Sequence, residues 1–110
     1  DCCRGFVMLA ESKKTIGETV NIGSNTEISI RDTFNLIKEL MSSDVTLIND
    51  EERKRPKKSE VFRLRCDNKR IKELVSYKPE VDIRNGLKKT INWITKPENL
   101  KMYKSEIYNV

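Results

Sequence analysis

The clearest fold signal in this chain lies in residues 29–41, SIRDTFNLIKELM. Ser29 belongs to the residue types that cap helix N-termini, and Asp32 follows three positions later as an acidic form of the capping box. The apolar residues of the stretch recur every three or four positions, at Ile30, Phe34, Ile37, Leu40 and Met41. This spacing places them on one face, so the stretch predicts an amphipathic helix that ends at the polar residues 42–44.

Three more helices are predicted by the same signals on either side of this one. Each begins after a polar residue suited to an N-cap and carries apolar residues at helical spacing. We expect them over roughly 2–12, over about 69–76, and from residue 82 until Pro97. The expected N-caps are Asp1, Asp67 or Asn68, and Asp82.

Three short runs between the helices have the composition of strands. Residues 19–22 and 45–48 are rich in β-branched side chains, and residues 61–66 alternate apolar with charged ones. The sequence therefore predicts an α+β fold with about four helices and two or three short strands. Residues 1–97 would form one lobe, and residues 98–110 a tail or a short terminal helix.

Composition and charge limit the classes of function. The 110 residues are 36% hydrophobic and 35% charged, which is a polar balance that allows only a modest core. The net charge of +5 fits a binder of phosphorylated molecules, a nucleic-acid binder, or a domain beside an acidic neighbour. Basic residues are spread along the chain and aromatic residues are only 6%, which disfavours nucleic acid. A non-enzymatic basic module that binds RNA or a protein partner stays the alternative function.

Most catalytic and metal-binding chemistry has no matching residues here. The chain has no histidine, and Cys2, Cys3 and Cys66 lack a CxxC spacing, which excludes a Cys/His zinc site. Three reduced thiols favour a cytoplasmic location. No glycine-rich phosphate loop occurs, no Tyr is followed four residues later by Lys, and no apolar run approaches the ~20 residues of a membrane span. We therefore predict no catalytic, cofactor-binding or metal-binding residue and no membrane partner for this chain.

One charged loop has the residue types of a nucleotide site. It reads Arg-Pro-Lys-Lys-Ser-Glu-Val over residues 55–61. The planar fork of Arg55 suits a diphosphate because it donates to two oxygens at once, and the following proline restricts its backbone. Ser59 and Glu60 stand where they can accept hydrogen bonds from a ribose diol. On composition alone, an ordinary charged surface loop explains the same residues better.

Four segments, in order, resemble the C-terminal region of extended short-chain dehydrogenase/reductases that act on nucleotide sugars. They are the GETVNIGS run at residues 17–24, the loop at 55–61, the residues from Cys66 to Pro79, and the closing GLKKTINW helix at 86–93. The Arg-Pro-x-x-Ser-Glu-Val form of the loop is most similar to NAD-dependent sugar-nucleotide 4,6-dehydratases. Ser76 and Tyr77 depart from the Gly and Trp that are common there, and these departures leave the Arg55 loop untouched.

The resemblance implies that two lobes of the protein have different roles. In that family a Rossmann lobe holds NAD and the catalytic Tyr/Lys pair, and a smaller C-terminal lobe closes over the sugar nucleotide. Arg55 would then contact the diphosphate, and Ser59 or Glu60 the ribose, of a nucleotide-diphosphate sugar. We expect a fragment of a longer dehydratase or epimerase, since Asp1 is not an initiator Met and the Rossmann lobe is missing. Alone it would be inactive, and it could self-associate through the surface meant for the N-terminal Rossmann domain.

Overall fold

The computed structural model describes residues 1–48 and 61–103, which form helices joined by extended segments. The elements are α1 (Cys2–Glu11), one 3-10 turn (Lys13–Thr15), α2 (Ile30–Leu40), α3 (Lys69–Val75), α4 (Ile83–Ile94) and the short α5 (Pro97–Leu100). The four longer helices confirm the four that the sequence predicts. Pro97 does not itself terminate α4, which ends at Ile94; it is instead the first residue of α5, where its fixed φ suits a helix start.

The predicted α+β class is wrong, because the described residues contain helices and no strand. The runs at 19–22, 45–48 and 61–66 are not helical, yet none of them forms a backbone ladder with another described segment. A strand needs a partner that accepts and donates its backbone hydrogen bonds. Strand propensity reports how well a residue fits such a pleated surface, and the described part of the chain supplies no such surface.

Two of the predicted N-caps form as expected. The Ser29 hydroxyl accepts the backbone N–H of Asp32 at 3.0 Å and donates to the Asp32 carboxylate at 2.6 Å, which confirms the acidic capping box of α2. The Asp82 carboxylate accepts the backbone N–H of Asn85 at 2.7 Å at the start of α4. This bond favours the ionised carboxylate and holds the pKa of Asp82 below its usual value.

Asp1 stands at the N-cap position of α1, but its side chain makes no cap bond there. Its carboxylate instead accepts the backbone N–H groups of Glu80, at 3.2 Å, and of Val81, at 3.0 Å. Arg4 donates from one nitrogen to Asp1, at 3.0 Å, and to the carbonyl of Lys78, at 2.5 Å. The start of α1 is thereby tied to the loop between α3 and α4.

The small core lies between α1, α3 and Tyr77, the second residue after α3. Ile71 and Tyr77 are fully buried there, and Gly5 of α1 is buried next to Tyr77 and Ile22. A Cβ on Gly5 would lie 2.9 Å from Ile22 Cγ2 and 3.3 Å from Tyr77 Cε2, so only glycine allows α1 to come this close. The Arg4 guanidinium covers the Tyr77 ring at 5.3 Å from its centre.

The second pair of helices, α2 and α4, packs without any fully buried residue. Their facing apolar side chains are half-buried: Phe34, Ile37, Leu87 and Ile91. Arg84 of α4 donates to the Glu39 carboxylate of α2 at 2.5 and 3.3 Å, which lowers the pKa of Glu39. An exposed ion pair and half-buried contacts therefore hold this pair together.

Candidate functional site

The three residues predicted to contact ligand, Arg55, Ser59 and Glu60, lie outside the described residues. The segments on either side of their loop are described, and both carry large apolar side chains that are exposed: Val45, Leu47 and Ile48 before it, and Val61, Phe62 and Leu64 after it. Phe62 is the most exposed of them, at 90%.

The segment that follows the loop is fixed to the turn that precedes α2. We call this contact region the junction; it consists of residues 23–27 and residues 63–68. No backbone–backbone hydrogen bond joins these two segments. Side chains make the connection, so the position of the loop's end depends on particular residues.

Two arginines of the junction are each held by an oxygen-bearing side chain on the opposite segment. Arg63 binds the Glu27 carboxylate through both Nε, at 3.3 Å, and Nη2. Arg65 donates from Nε to Asn25 Oδ1 at 2.9 Å. The residue order runs up one segment and down the other, so the two segments lie antiparallel.

Asn68 tethers the end of the junction. It is fully buried, and its Nδ2 donates to the carbonyl of Gly23 at 2.7 Å, whereas its Oδ1 has no hydrogen-bond partner among the described residues. Asn68 occupies the N-cap position of α3, but its side chain makes no cap bond. Asp67, one residue earlier, accepts the backbone N–H of Lys69 with its Oδ1 at 3.0 Å. The prediction that Asp67 or Asn68 caps α3 is therefore confirmed in position at Asn68, whose side chain instead anchors the preceding segment.

Gly23 allows the two segments of the junction to touch. A Cβ built at this residue would lie 2.7 Å from both the Cβ and the Sγ of Cys66. Real Cβ atoms do not approach other atoms so closely, and although the Cys66 Sγ can rotate away, its Cβ is fixed to the backbone and can move only if the segment shifts. The glycine of the NIGS run at residues 21–24 is thus required by its close contact with Cys66.

The Glu27–Arg63 ion pair sets the charge of this region. The hydrogen bond from Arg63 is the main cause that lowers the pKa of Glu27, and the same bond raises the pKa of Arg63. Both side chains are partly or largely exposed, so the pair contributes orientation more than stability. Glu27 neutralises Arg63, whereas Arg65 of the same junction binds an uncharged amide oxygen and keeps its positive charge.

A groove of about 720 Å³ runs alongside the junction. Its walls include Ile28, Ile30, Phe62 and Leu64, with the Glu27–Arg63 pair at one side. Such a volume is in the usual range for small-molecule pockets. Its lining reaches Val61, the residue next to Glu60, so the groove adjoins the end of the candidate loop.

Other kinds of site are absent from residues 1–48 and 61–103. These residues contain no group of three or more His, Cys, Asp or Glu side chains arranged to hold a metal ion, and no helix long and apolar enough to cross a membrane. The three cysteines are free thiols, as the sequence predicts; Cys2 and Cys3 are exposed and Cys66 is half-buried.

Sequence comparison finds two relatives. Over 77 residues, or 70% of its length, this chain is 35% identical to a putative UDP-glucose 4-epimerase of Methanocaldococcus jannaschii. Over 92 residues, or 82%, it is 33% identical to a UDP-N-acetyl-alpha-D-glucosaminuronate decarboxylase of Bacillus cytotoxicus. The chain is related to a part of each enzyme. It spans 24% and 29% of their lengths, and no protein-family profile and no solved structure matches it.

The relatives support the predicted resemblance at a coarse level. Both names specify an enzyme of a UDP-linked sugar, and neither names a 4,6-dehydratase. Sequence reasoning missed the Glu27 and Asn25 anchors. The alternation of Arg63 and Arg65 with apolar residues places both on one side of an extended segment, but nothing in it identifies Glu27 and Asn25 as their partners.

Proposed function

We propose that this chain is the substrate-binding lobe of an NAD-dependent nucleotide-sugar enzyme of the epimerase/dehydratase type. In this proposal Arg55 binds the diphosphate, and Ser59 or Glu60 binds the ribose. The relationship to two enzymes of UDP-linked sugars supports it. The observation that carries it is the junction, which fixes the residues directly after the candidate loop beside a groove lined by both polar and apolar side chains.

The junction suits a ligand loop because it anchors one end of it. Glu60 lies three residues before Arg63, so its Cα lies at most about 11 Å from the anchored Cα of Arg63. A loop attached in this way loses less freedom when it closes on a ligand, because part of its ordering is already present. The guanidinium fork of Arg55 then binds two diphosphate oxygens, and a carboxylate at Glu60 accepts from ribose hydroxyls.

The finer assignment is a 4,6-dehydratase, with an epimerase as the nearest alternative. It rests on the Arg-Pro-x-x-Ser-Glu-Val form of residues 55–61. NAD, bound by the remainder of the longer protein, supplies the hydride acceptor and donor that such chemistry needs. This chain contributes binding and orientation of the sugar nucleotide and does not turn it over alone.

Calorimetric titration of the chain with UDP, uridine and pyrophosphate tests the proposal. Replacing Arg55 by Ala should weaken binding of UDP and pyrophosphate by about tenfold or more, because it removes charge-assisted hydrogen bonds. Arg53→Ala removes the same charge two residues earlier and should change either affinity by less than about threefold, because the proposal gives Arg53 no contact with the ligand. Glu60→Gln should weaken UDP and leave pyrophosphate unchanged.

Equal losses for Arg55→Ala and Arg53→Ala would contradict this proposal. They would indicate a diffuse basic patch, in which any cation of the loop serves equally well. That result would favour the basic-module alternative, whose signature is affinity for RNA that falls steeply with salt.

A further inference from the structure

Phe62 is the most exposed large apolar residue of the described chain, with 90% of its surface accessible. It follows the Arg-Pro-x-x-Ser-Glu-Val run and lies outside the four segments of the resemblance, which therefore gives it no role. It lines the groove beside the junction, and no aromatic side chain of the described residues pairs with its ring. An unpaired ring at a groove offers a planar surface on which a second ring can stack.

The groove offers further apolar contacts to a planar ligand. Two segments line it, one that leads into α2 and one that follows the candidate loop. The first contributes Ile28 and Ile30, and the second contributes Leu64 beside Phe62. Ile30 is 84% exposed and Leu64 is 83% exposed. A flat ligand that lies between the two segments therefore meets aliphatic side chains as well as the aromatic ring.

The charges of the groove favour an uncharged part of the ligand. Arg63 is the one cation among the described residues that line it, and its guanidinium is paired with the Glu27 carboxylate. Asp32 adds a second carboxylate, which accepts the Ser29 hydroxyl at 2.6 Å. This lining has no surplus positive charge to attract phosphates, so it suits the base or the sugar of a sugar nucleotide better than the diphosphate.

The order of the residues along the chain selects the base. A sugar nucleotide joins its base to the ribose, the ribose to the diphosphate and the diphosphate to the sugar. In the proposed function Ser59 or Glu60 binds the ribose and Arg55 the diphosphate, which puts the base on the side of the ribose away from Arg55. Phe62 follows Glu60 on that side, and its Cα lies at most about 7 Å from the Cα of Glu60. The sugar would lie at the other end, beyond the diphosphate.

We propose that Phe62 stacks on the nucleobase of the sugar nucleotide, an assignment that rests on the proposed function and names the part of the ligand that the groove takes. The neighbouring Arg63 is bonded to Glu27, so the segment that carries Phe62 is held before the ligand arrives. This reduces the ordering that stacking otherwise requires. Every base has a π-face, so the stack contributes affinity and not a choice between bases.

Calorimetric titration of the chain with uridine, UDP, UDP-glucose and pyrophosphate tests the stack. Phe62→Ala should weaken the three ligands that contain a base by about fivefold or more, because it removes a base–aromatic stack. Pyrophosphate has no base, and its affinity should be unchanged. Phe62→Tyr keeps the ring and should keep the affinity for UDP.

Phe6→Ala is the matched control, because it removes the same side chain from a residue of α1 that is 65% exposed. It should leave all four affinities unchanged. Both phenylalanines are largely exposed, so circular dichroism of the two variants should match that of the wild-type chain. Equal losses of UDP affinity in Phe62→Ala and Phe6→Ala would overturn the inference.

The proton spectrum of the ligand reports the stack directly. The ring protons of uracil should move upfield when UDP binds, because they enter the shielding region of the Phe62 ring. This shift should disappear with Phe62→Ala and persist with Phe6→Ala. A loss of affinity confined to UDP-glucose, with uridine and UDP unchanged, would overturn the inference in favour of the sugar as the occupant of the groove.

The inference and the proposed function fail in different ways. UDP binding that depends on Arg55 and not on Phe62 would keep the proposed function and overturn the stack. UDP binding that depends on Phe62 and not on Arg55 would support the stack and remove the diphosphate assignment. No binding of uridine or UDP to the wild-type chain at millimolar concentration would overturn both.

Discussion

The two helix pairs of this chain differ in how they are held together. The pair α1 and α3 encloses every buried residue of the described chain: Gly5, Asn68, Ile71 and Tyr77. The pair α2 and α4 encloses none and relies on half-buried contacts and the Arg84–Glu39 ion pair. The first pair therefore forms a completed core, whereas the second leaves its apolar side chains only half-buried and is an incomplete surface.

The largest effect on stability is expected in the small core around Tyr77. Tyr77→Ala removes the ring that Gly5 and Arg4 contact, and it should lower the free energy of unfolding by about 3–5 kcal/mol. That loss is a large part of a typical domain's stability, so most of the helical signal should disappear. Urea unfolding followed by circular dichroism measures it.

Tyr103→Ala is the matched control for that substitution. Tyr103 is 52% exposed and meets Trp93 edge to face at 6.3 Å between ring centres, so its loss should cost about 0.5–1.5 kcal/mol. Equal losses from the two tyrosines would remove the distinction between a completed core and an incomplete surface.

Two glycines should respond to alanine in opposite directions. Gly23→Ala puts a Cβ 2.7 Å from Cys66 and should destabilise the chain by about 1–3 kcal/mol through a forced shift of the junction. Gly86→Ala lies inside α4, where the nearest atom would be 3.7 Å away, and should stabilise by up to about 1 kcal/mol through helix propensity. Chemical denaturation measures the free energy of unfolding of both variants. A change of the same sign in both would show that the close contact at Gly23 is not a structural requirement.

A smaller gain is expected at the end of α3. Ser76 has a φ of 54°, in the left-handed region that glycine adopts without strain. Ser76→Gly should therefore raise stability by about 1 kcal/mol or less, since relief of strain is partly offset by a more flexible unfolded chain. Ser43→Gly is the control, because Ser43 does not have a positive φ, and it should lower stability slightly. A fall in the thermal midpoint for both would contradict the strain argument.

The smallest effects are electrostatic and appear as a pH dependence. The pKa of three exposed carboxyls is lowered in the fold, by Arg63 at Glu27, by Arg84 at Glu39, and by the backbone N–H of Asn85 at Asp82. Groups whose folded pKa is lowered stabilise the fold above their ordinary pKa, which is 4.5 for the two glutamates, and lose that contribution as the pH falls through the folded values.

Unfolding by urea between pH 6 and pH 3 should show this loss, with the decline beginning below about pH 4.5. Glu39→Gln should make the decline shallower, because it removes one of the contributing carboxyls without changing the size of the side chain. A stability that rises as the pH falls over this interval would contradict the assigned direction of the shifts.

The helices were predictable because their signals are local. In α2 and α4 the cap, at Ser29 with Asp32 and at Asp82, is followed within a few residues by the apolar spacing of one helix face. The sequence could not settle the strands, because a strand depends on a partner from any part of the fold. Residues 19–22 and 61–66 make no backbone ladder with another described segment.

The residue types of the candidate site were predictable from the sequence, whereas the contacts that hold the neighbouring segment were not. The resemblance pointed to the loop at 55–61, but nothing local indicated that Glu27 would bind Arg63 from 36 residues away. Asp1 is the reverse case. Its residue type and position suit a helix cap, but its carboxylate accepts the backbone N–H groups of residues 80 and 81 instead. Long-range polar contacts of this kind have no periodic signature in the sequence.

The central claim is that the loop at 55–61 and the junction behind it form a nucleotide-diphosphate site, while the core around Tyr77 takes no part. Backbone amide chemical shifts of the chain, followed by NMR during titration with millimolar UDP, test this most directly. Changes at residues 55–65 with none in α1, abolished by Arg55→Ala and kept by Arg53→Ala, are the predicted result. Shifts spread evenly over the basic residues, or no shift at 55–65 at saturating UDP, would contradict the claim.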